Sequence, residues 1–186
     1  MAQNQTAPTT LPALWLISDA RNDAALESSL KALPRGSGFI YRHYHLSATD
    51  RRTRFTALAA LARKYAHIVI LADTPVIARK WGADGIYGPA RRMPNGDALI
   101  KLAAAHNARD IVAADRAGAD AILLSPVFAT RSHPGARSLG AVRFRLLARK
   151  TSTPVIALGG MTREHARALG WSRWAAIDGL VSTQDS

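Results

Sequence analysis

Eight short apolar runs recur along the chain, and stretches with helical spacing separate most of them. The runs are rich in β-branched residues, so each is predicted to be a strand. They span residues 14–18, 38–44, 67–73, 85–87, 98–105, 121–125, 154–160 and 174–179, although the alanines of 98–105 also suit a helix. Helices are predicted at about 25–33, 47–65, 75–81, 107–118, 139–150 and 163–169. Because helices connect successive strands, the pattern predicts parallel strands with right-handed crossovers.

A weak internal repeat supports this alternation of helix and strand. KWGADGIYG (80–88) and RAGADAILL (116–124) share a helix end, then Gly-Ala-Asp, then an apolar strand. The Gly is predicted to form a left-handed helix cap, and the Asp to form the turn into the next strand. Eight such units predict an α/β fold of the closed (β/α)8 TIM barrel type, and an open doubly wound sheet is the alternative. Because 186 residues are few for a barrel, we expect clipped helices, above all at the turn-like GPARRMPNGD.

The composition narrows the domain organisation and the classes of function. One barrel is predicted over residues 12–180, between a disordered or extended tail at 1–11 and a short tail at 181–186. The formal charge of +12 is spread out, which favours a solvated surface or phosphorylated small molecules over nucleic acid. The absence of cysteine excludes disulfides, thiolate metal sites and a Cys nucleophile. The lack of cysteine also leads us to expect a cytoplasmic protein. No run approaches the roughly 18 apolar residues of a membrane span.

Polar and ionisable residues gather at the carboxyl ends of the predicted strands. In a parallel sheet these ends share one face, where α/β proteins carry their sites. The set comprises Asp19, Arg42, His43, His45, Asp73, Tyr87, His106, Ser125 through His133, Gly159, Gly160, Asp178 and Gly179. The amino-terminal ends carry Pro, Gly and Ala instead. This asymmetry predicts a functional site on one rim.

The double glycine and one histidine are the most informative members of this set. Gly159 and Gly160 end a strand just before a helix, which lets backbone N–H groups approach a phosphate closely. A glycine turn without a ligand is the alternative. His133 follows Thr130 in a polar loop, and it is either a phosphate contact or proton-transfer group, or an exposed loop residue.

The other histidines allow simpler interpretations. His106 is either a rim residue or the cap of the helix at 107–118. His43 and His45 are predicted to share one face of a strand, with Tyr44 on the other. No three His or carboxylate residues have metal-site spacing, so a structural zinc is not expected. No G-x-S-x-G elbow occurs, which disfavours a serine hydrolase.

The strand-end residues resemble a known family. GADAILLSPVFATRSHPGARSLG (118–140) and PVIALGG (154–160), preceded by GADGIYG, are similar to the thiamine phosphate synthase and TenI family. The similarity covers about residues 12–180. It implies a (β/α)8 barrel that joins hydroxymethylpyrimidine diphosphate to a thiazole phosphate and releases pyrophosphate. It also implies phosphorylated small molecules as partners and Mg²⁺ as cofactor, and it makes a homodimer a possible oligomeric state.

The resemblance assigns roles to particular residues. Arg42 and His133 are expected to act in catalysis, and Asp73 is expected to bind Mg²⁺. Phosphate or substrate binding is expected of Thr130, Arg131, Ser132, Gly159, Gly160, Gly179, His106 and Ser125. These side chains would mainly position the substrates and stabilise the charge of the departing pyrophosphate.

Several positions depart from the family pattern. Residues 40–44 align with the family's strand-two motif Gln-x-Arg-x-Lys, and only its Arg is retained here, as Arg42. Ala72 replaces the Asn of a family Asn-Asp pair, and Val76 replaces a second family Asp. His133 replaces the Lys of the family motif Thr-x-Thr-Lys, and Asp178 replaces a Ser after strand eight. In the TenI branch, which tautomerises a thiazole, a His stands two residues before the strand-six Phe. That position is Pro126 here.

Two hypotheses follow from this comparison. The first is a divergent thiamine phosphate synthase, and the second is a TenI-like barrel that binds a thiazole phosphate or a related phosphate without turnover. Binding of nucleic acid through surface arginines is a third and less favoured hypothesis.

Overall fold

The computed structural model describes residues 10–94, 96, 98–130 and 137–180. Within these residues, eight parallel strands close into a barrel. The strands are β1 (Leu14–Ile17), β2 (Gly38–Tyr41), β3 (Ile68–Leu71), β4 (Gly85–Pro89), β5 (Ile100–Ala105), β6 (Ala121–Leu124), β7 (Val155–Ala157) and β8 (Trp174–Ala176). Each strand pairs with the next, and β8 closes the ring against β1. The (β/α)8 prediction is therefore confirmed over the open doubly wound sheet.

Six α-helices of the described residues surround the barrel. They are α1 (Leu26–Ala32), α2 (Ala48–Lys64), α3 (Pro75–Trp81), α4 (Ala108–Arg116), α5 (Gly140–Ala148) and α6 (Arg163–Leu169). A 3-10 turn at Ala20–Ala25 precedes α1, and another at Ala90–Arg92 follows β4. The second turn lies in the GPARRMPNGD stretch, where a clipped helix was expected. Among the described residues, none of the helices has the length and apolar character required to cross a bilayer.

In the Gly-Ala-Asp repeats, the predicted glycine cap is found, but the aspartates make bonds that were not predicted. Gly82 adopts a φ of 72° and caps α3 in the left-handed conformation. The aspartates, however, bond back to the preceding strand. Asp84 Oδ2 accepts the Val69 N–H at 2.7 Å, and Asp120 Oδ2 accepts the Lys101 N–H at 2.7 Å. Each carboxylate thus links neighbouring strands at the amino-terminal end of the barrel, where barrels carry stability rather than catalysis.

Large apolar side chains fill the interior of the barrel. They include Trp15, Ile17, Ile40, Ile70, Ile100, Leu102, Leu123 and Ile156. Gly38 on β2 provides the room for the Trp15 ring, since a Cβ at Gly38 would lie 2.0 Å from it. Because side chains pack the interior, a ligand of this barrel binds at an end rather than along the axis.

The strand boundaries differ from the predictions mainly on the carboxyl side. β2 ends at Tyr41, and His43 has a φ of 41°, a left-handed value that a strand does not adopt. The prediction that His43 and His45 share a strand face is therefore wrong. Their rings still lie 5.0 Å apart, because the chain turns after β2. The run at 98–105 contains β5, which confirms the strand over the helix.

Candidate active site

A cavity of about 770 Å³ opens at the carboxyl ends of the strands. Its wall includes the predicted residues Arg42, His106, Ser125, Thr130, Gly159, Gly160 and Gly179. The loops after β2, β5, β6, β7 and β8 contribute these residues, as expected for a barrel with one functional rim. The volume lies in the range of small-molecule sites. Arg131, Ser132 and His133 lie outside the described residues, and Asp73 does not line this cavity.

The loops after β6 and β7 lie against each other at one side of the cavity. The Phe128 N–H donates to the Gly159 carbonyl at 3.0 Å. Gly160 has a φ of 61°, and a Cβ at this position would lie 2.4 Å from the Ala129 carbonyl oxygen. A side chain at Gly160 would therefore meet both a backbone collision and left-handed strain. Phe128 and Ala129 thus lie beside the double glycine.

The backbone of Arg42 is fixed from two directions. Its N–H donates to the Ser18 hydroxyl at 2.8 Å, and its carbonyl accepts the Arg51 Nε–H at 2.8 Å. The guanidinium lies 5.6 Å from the centre of the Tyr44 ring, and both side chains line the cavity. Such support limits the positions that the Arg42 side chain can reach, which favours a defined anion contact.

His43 anchors the segment after β2 that carries Arg42. Its ring is buried, with Nδ1 2.8 Å from Ser18 Oγ and Nε2 2.8 Å from Asp23 Oδ1. Burial lowers the pKa of His43, and the hydrogen bond to Asp23 opposes this effect only in part. Burial raises the pKa of Asp23, but hydrogen bonds from His43 and Arg54 outweigh it and lower the pKa overall. His43 therefore holds the loop after β2 and does not face the cavity.

Asp73 is engaged by neighbouring groups of the chain. Its Oδ2 is paired with Arg51 Nη1 at 2.5 Å, and its Oδ1 accepts the Thr74 N–H at 2.7 Å. Arg51 also donates to the Ala72 carbonyl at 3.1 Å, so its guanidinium covers the end of β3. The described residues contain no group of three or more His, Cys, Asp or Glu side chains that could hold a metal. A Mg²⁺ ion at Asp73 would have to compete with Arg51 for the carboxylate.

His106 and Ser125 meet at the end of β5 and β6. His106 Nδ1 lies 2.9 Å from the Ser125 carbonyl oxygen. Because a carbonyl oxygen only accepts, Nδ1 carries the hydrogen and donates a hydrogen bond to it. In the neutral ring, Nε2 is then the hydrogen-bond acceptor. The cap of α4 is Asn107, whose side chain accepts the Asp110 N–H at 3.0 Å. The interpretation of His106 as that cap is therefore wrong, and the residue belongs to the cavity wall.

Sequence reasoning missed three arginines of the wall, namely Arg21, Arg137 and Arg143. Arg143 lies one helical turn after Leu139, and both residues line the cavity. Arg21 pairs with Asp178 at 3.3 Å. The carboxylate of Asp178, at the position of a family Ser, thus has a cationic partner within the wall.

Tyr87 contributes a phenol to the same wall. Burial raises the pKa of Tyr87 to about 12, so the hydroxyl stays protonated at neutral pH. Together, these residues define a class of protein: a (β/α)8 barrel whose carboxyl-terminal rim holds an arginine-lined cavity beside a glycine turn. Such a site is suited to phosphorylated small molecules.

Comparison with known proteins identifies the family within that class. The chain belongs to the TMP-TENI family, described as thiamine monophosphate synthase, whose family model matches residues 14–179. A protein of Aquifex aeolicus, provisionally named thiamine-phosphate synthase 2, is 30% identical over 164 residues, which cover 83% of this chain and 88% of that protein. The thiamine-phosphate synthase of Pyrococcus furiosus is 26% identical over 182 residues, which cover 92% of this chain and 88% of the relative.

A solved structure supports the fold. The thiamine phosphate pyrophosphorylase from Pyrococcus furiosus matches with a TM-score of 0.77 at 23% identity, over 92% of this chain and 88% of that structure. At this identity the likeness concerns the barrel itself. The family assignment made from the strand-end residues is thus confirmed by the family model and the curated relatives.

Proposed function

We propose that this chain is a thiamine phosphate synthase that joins hydroxymethylpyrimidine diphosphate to thiazole phosphate in the rim cavity. The observation that carries the proposal is that Arg42, Thr130 and the double glycine line one cavity. The family match over residues 14–179 supports the same activity, as do the names of the curated relatives. The proposal makes phosphorylated small molecules the partners of the chain. The homodimer and the cytoplasmic location stay predictions.

The reaction depends on charge stabilisation more than on acid–base chemistry. The C–O bond between the pyrimidine methylene carbon and the diphosphate breaks, and its electron pair leaves on the diphosphate oxygen. The thiazole nitrogen then donates its lone pair to that methylene carbon and forms the C–N bond. Because this exchange transfers no proton, the protein's tasks are to align the two substrates and to stabilise the leaving diphosphate.

The cavity residues suit these tasks in different ways. Arg42 is assigned to the diphosphate, because a guanidinium with a fixed backbone can offer two parallel N–H donors. The backbone at Gly159 and Gly160 is assigned to the phosphate of the thiazole, together with Thr130. His133, Arg131 and Ser132 remain expected members of the same site, although they lie outside the described residues.

The family resemblance also implies Mg²⁺, with Asp73 as the expected ligand. When bound, such an ion would neutralise diphosphate charge. Both carboxylate oxygens of Asp73 already have partners within the chain, at 2.5 and 2.7 Å. Mg²⁺ at Asp73 therefore stays a prediction that this geometry does not support, and no step above depends on it.

The test is a synthesis assay with a matched arginine control. Both substrates and Mg²⁺ are mixed with the purified chain, and thiamine phosphate is measured by chromatography. Arg42→Ala is expected to lower kcat/KM by about 100-fold, the scale of losing one preorganised charge contact. Arg52→Ala, on the exposed side of α2, should leave the rate unchanged. Absence of product from the unaltered chain at high concentration would refute the proposal.

A second candidate is the TenI-like barrel that binds a phosphate without turnover. The Arg51–Asp73 pair favours it, because this pair occupies the carboxylate that the family resemblance assigns to Mg²⁺. This candidate predicts calorimetric binding of thiazole phosphate with no product in the synthesis assay. Product formation would exclude it.

A further inference from the structure

Three guanidinium groups of the cavity wall form no salt bridge with an acidic side chain among the described residues. They belong to Arg42, Arg137 and Arg143. Other arginines near this rim are paired: Arg51 with Asp73 at 2.5 Å and Arg54 with Asp23 at 2.8 Å. Arginine side chains left without a carboxylate in a concave site favour an anionic ligand, because the cavity then carries uncompensated positive charge.

The acidic residues of the described wall are too few to balance this charge. Asp178 is the one carboxylate among the described lining residues, and it is already paired with Arg21 at 3.3 Å. Four arginines thus line a cavity of about 770 Å³ that has one lining carboxylate. Asp19, outside the wall, also pairs with Arg21 at 2.9 Å, so two carboxylates stand against the four arginines. The excess charge matches a ligand with several negative charges, such as a diphosphate, better than a single carboxylate.

The unpaired arginines approach the cavity from opposite sides of the barrel. Arg42 follows β2, whereas Arg137 and Arg143 follow β6, which is four strands away in a ring of eight. Arg143 stands on α5, one turn from Leu139, and both line the cavity. An anion between these elements could receive guanidinium donors from two directions, and a guanidinium binds phosphate oxygens bidentately.

A cation from the chain also occupies the place expected for the metal. The Arg51 guanidinium contacts Asp73 and the Ala72 carbonyl, and it lies 5.4 Å from the ring centres of both Tyr44 and Trp81. This aromatic and ionic enclosure keeps Arg51 against the end of β3. A divalent ion at Asp73 would first have to displace it.

We propose that Arg42, Arg137 and Arg143 bind the diphosphate group directly and neutralise its charge without a metal held at Asp73. The inference rests on the proposed function for the identity of the anion, since a synthase releases pyrophosphate. It assigns Arg137 and Arg143 as substrate-contacting residues. It also assigns Arg51 a structural role as the internal cation of the β3 end.

Calorimetry with inorganic pyrophosphate tests the inference on the full chain. Titrations are run in EDTA and again in Mg²⁺, with the unaltered protein and with Arg137→Gln/Arg143→Gln. The control is Arg149→Gln/Arg173→Gln, which removes the same charge from exposed positions outside the cavity. We expect binding in EDTA, about tenfold weaker in the cavity variant and unchanged in the control. Because both variants lose two charges, a difference between them reports position rather than net charge.

The opposite results are equally clear. Pyrophosphate binding that requires Mg²⁺, or equal affinity in the two double variants, would overturn the inference. Since the titration contains no second substrate, it does not depend on turnover. Synthesis with Mg²⁺-dependent pyrophosphate binding would remove this inference alone, whereas metal-free binding without synthesis would remove the proposed function alone.

Discussion

At the scale of single residues, Gly160 combines a left-handed φ of 61° with too little room for a side chain. Gly36 offers a matched control, because it has a φ of 76° with nothing within 4 Å of its Cβ position, whereas the Gly160 Cβ would lie 2.4 Å from a carbonyl oxygen. Gly36→Ala should lower the free energy of unfolding by about 1 kcal/mol, and Gly160→Ala by about 3 kcal/mol. Urea unfolding measures both. Equal losses would contradict the collision with the loop after β6.

His43 gives the stability of the barrel a dependence on pH. Its pKa lies below the usual value of 6.5 because burial disfavours the charged ring. Between the folded-state pKa and 6.5, the unfolded chain therefore binds more protons at this histidine than the folded chain does. The stability associated with neutral His43 is thus complete above about pH 7 and declines as the pH falls. The pKa values of Asp19, Asp23 and Glu27 are lowered in the folded chain. The stability that these carboxylates contribute is therefore lost only below about pH 4.

The corresponding test replaces His43 by Asn, which tolerates the φ of 41°. Unfolding free energies are measured from about pH 5 to 8, the window of histidine titration. The unaltered chain should lose stability toward pH 5, and His43→Asn should lose less. Identical slopes would show that His43 does not carry this dependence.

At the scale of secondary-structure elements, Arg51 connects three of them. It lies in the first turns of α2, and its side chain bonds to the Arg42 carbonyl after β2 and to Asp73 after β3. Arg51→Ala should lower the free energy of unfolding by about 2 kcal/mol, because it leaves a partly buried carboxylate without its cation. The exposed neighbour Arg52→Ala should change it by less than about 0.5 kcal/mol. Similar effects of the two changes would refute this role.

Local sequence patterns predict most of the elements, because hydrophobic period and helix-ending residues act over short distances. The helices predicted at 75–81 and 163–169 are found as Pro75–Trp81 and Arg163–Leu169. β2 was predicted too long because residues 42–44 contain no Gly or Pro that would mark the turn, where a bond to Ser18 fixes His43. The aspartates of the repeats were predicted to form turns, and their bonds to the preceding strand were missed because these depend on how neighbouring strands pair.

At the scale of the whole molecule, topology explains which site residues could be predicted. Closing eight parallel strands brings Arg42, His106, Ser125, Thr130 and the double glycine to one rim, so their shared cavity follows from the strand order. Arg137 and Arg143 were missed because the pattern around α5 does not indicate which helix face meets the cavity. The engagement of Asp73 was missed because it depends on how α2 packs against the end of β3.

The most direct test of the account is an experimental structure of the chain with bound thiamine phosphate. The account predicts the ligand in the rim cavity, with its phosphate at the backbone of Gly159 and Gly160 and its pyrimidine side toward Arg42. A ligand found instead in the outer recess between Arg91 and Arg109, or no bound ligand at saturating concentration, would contradict it.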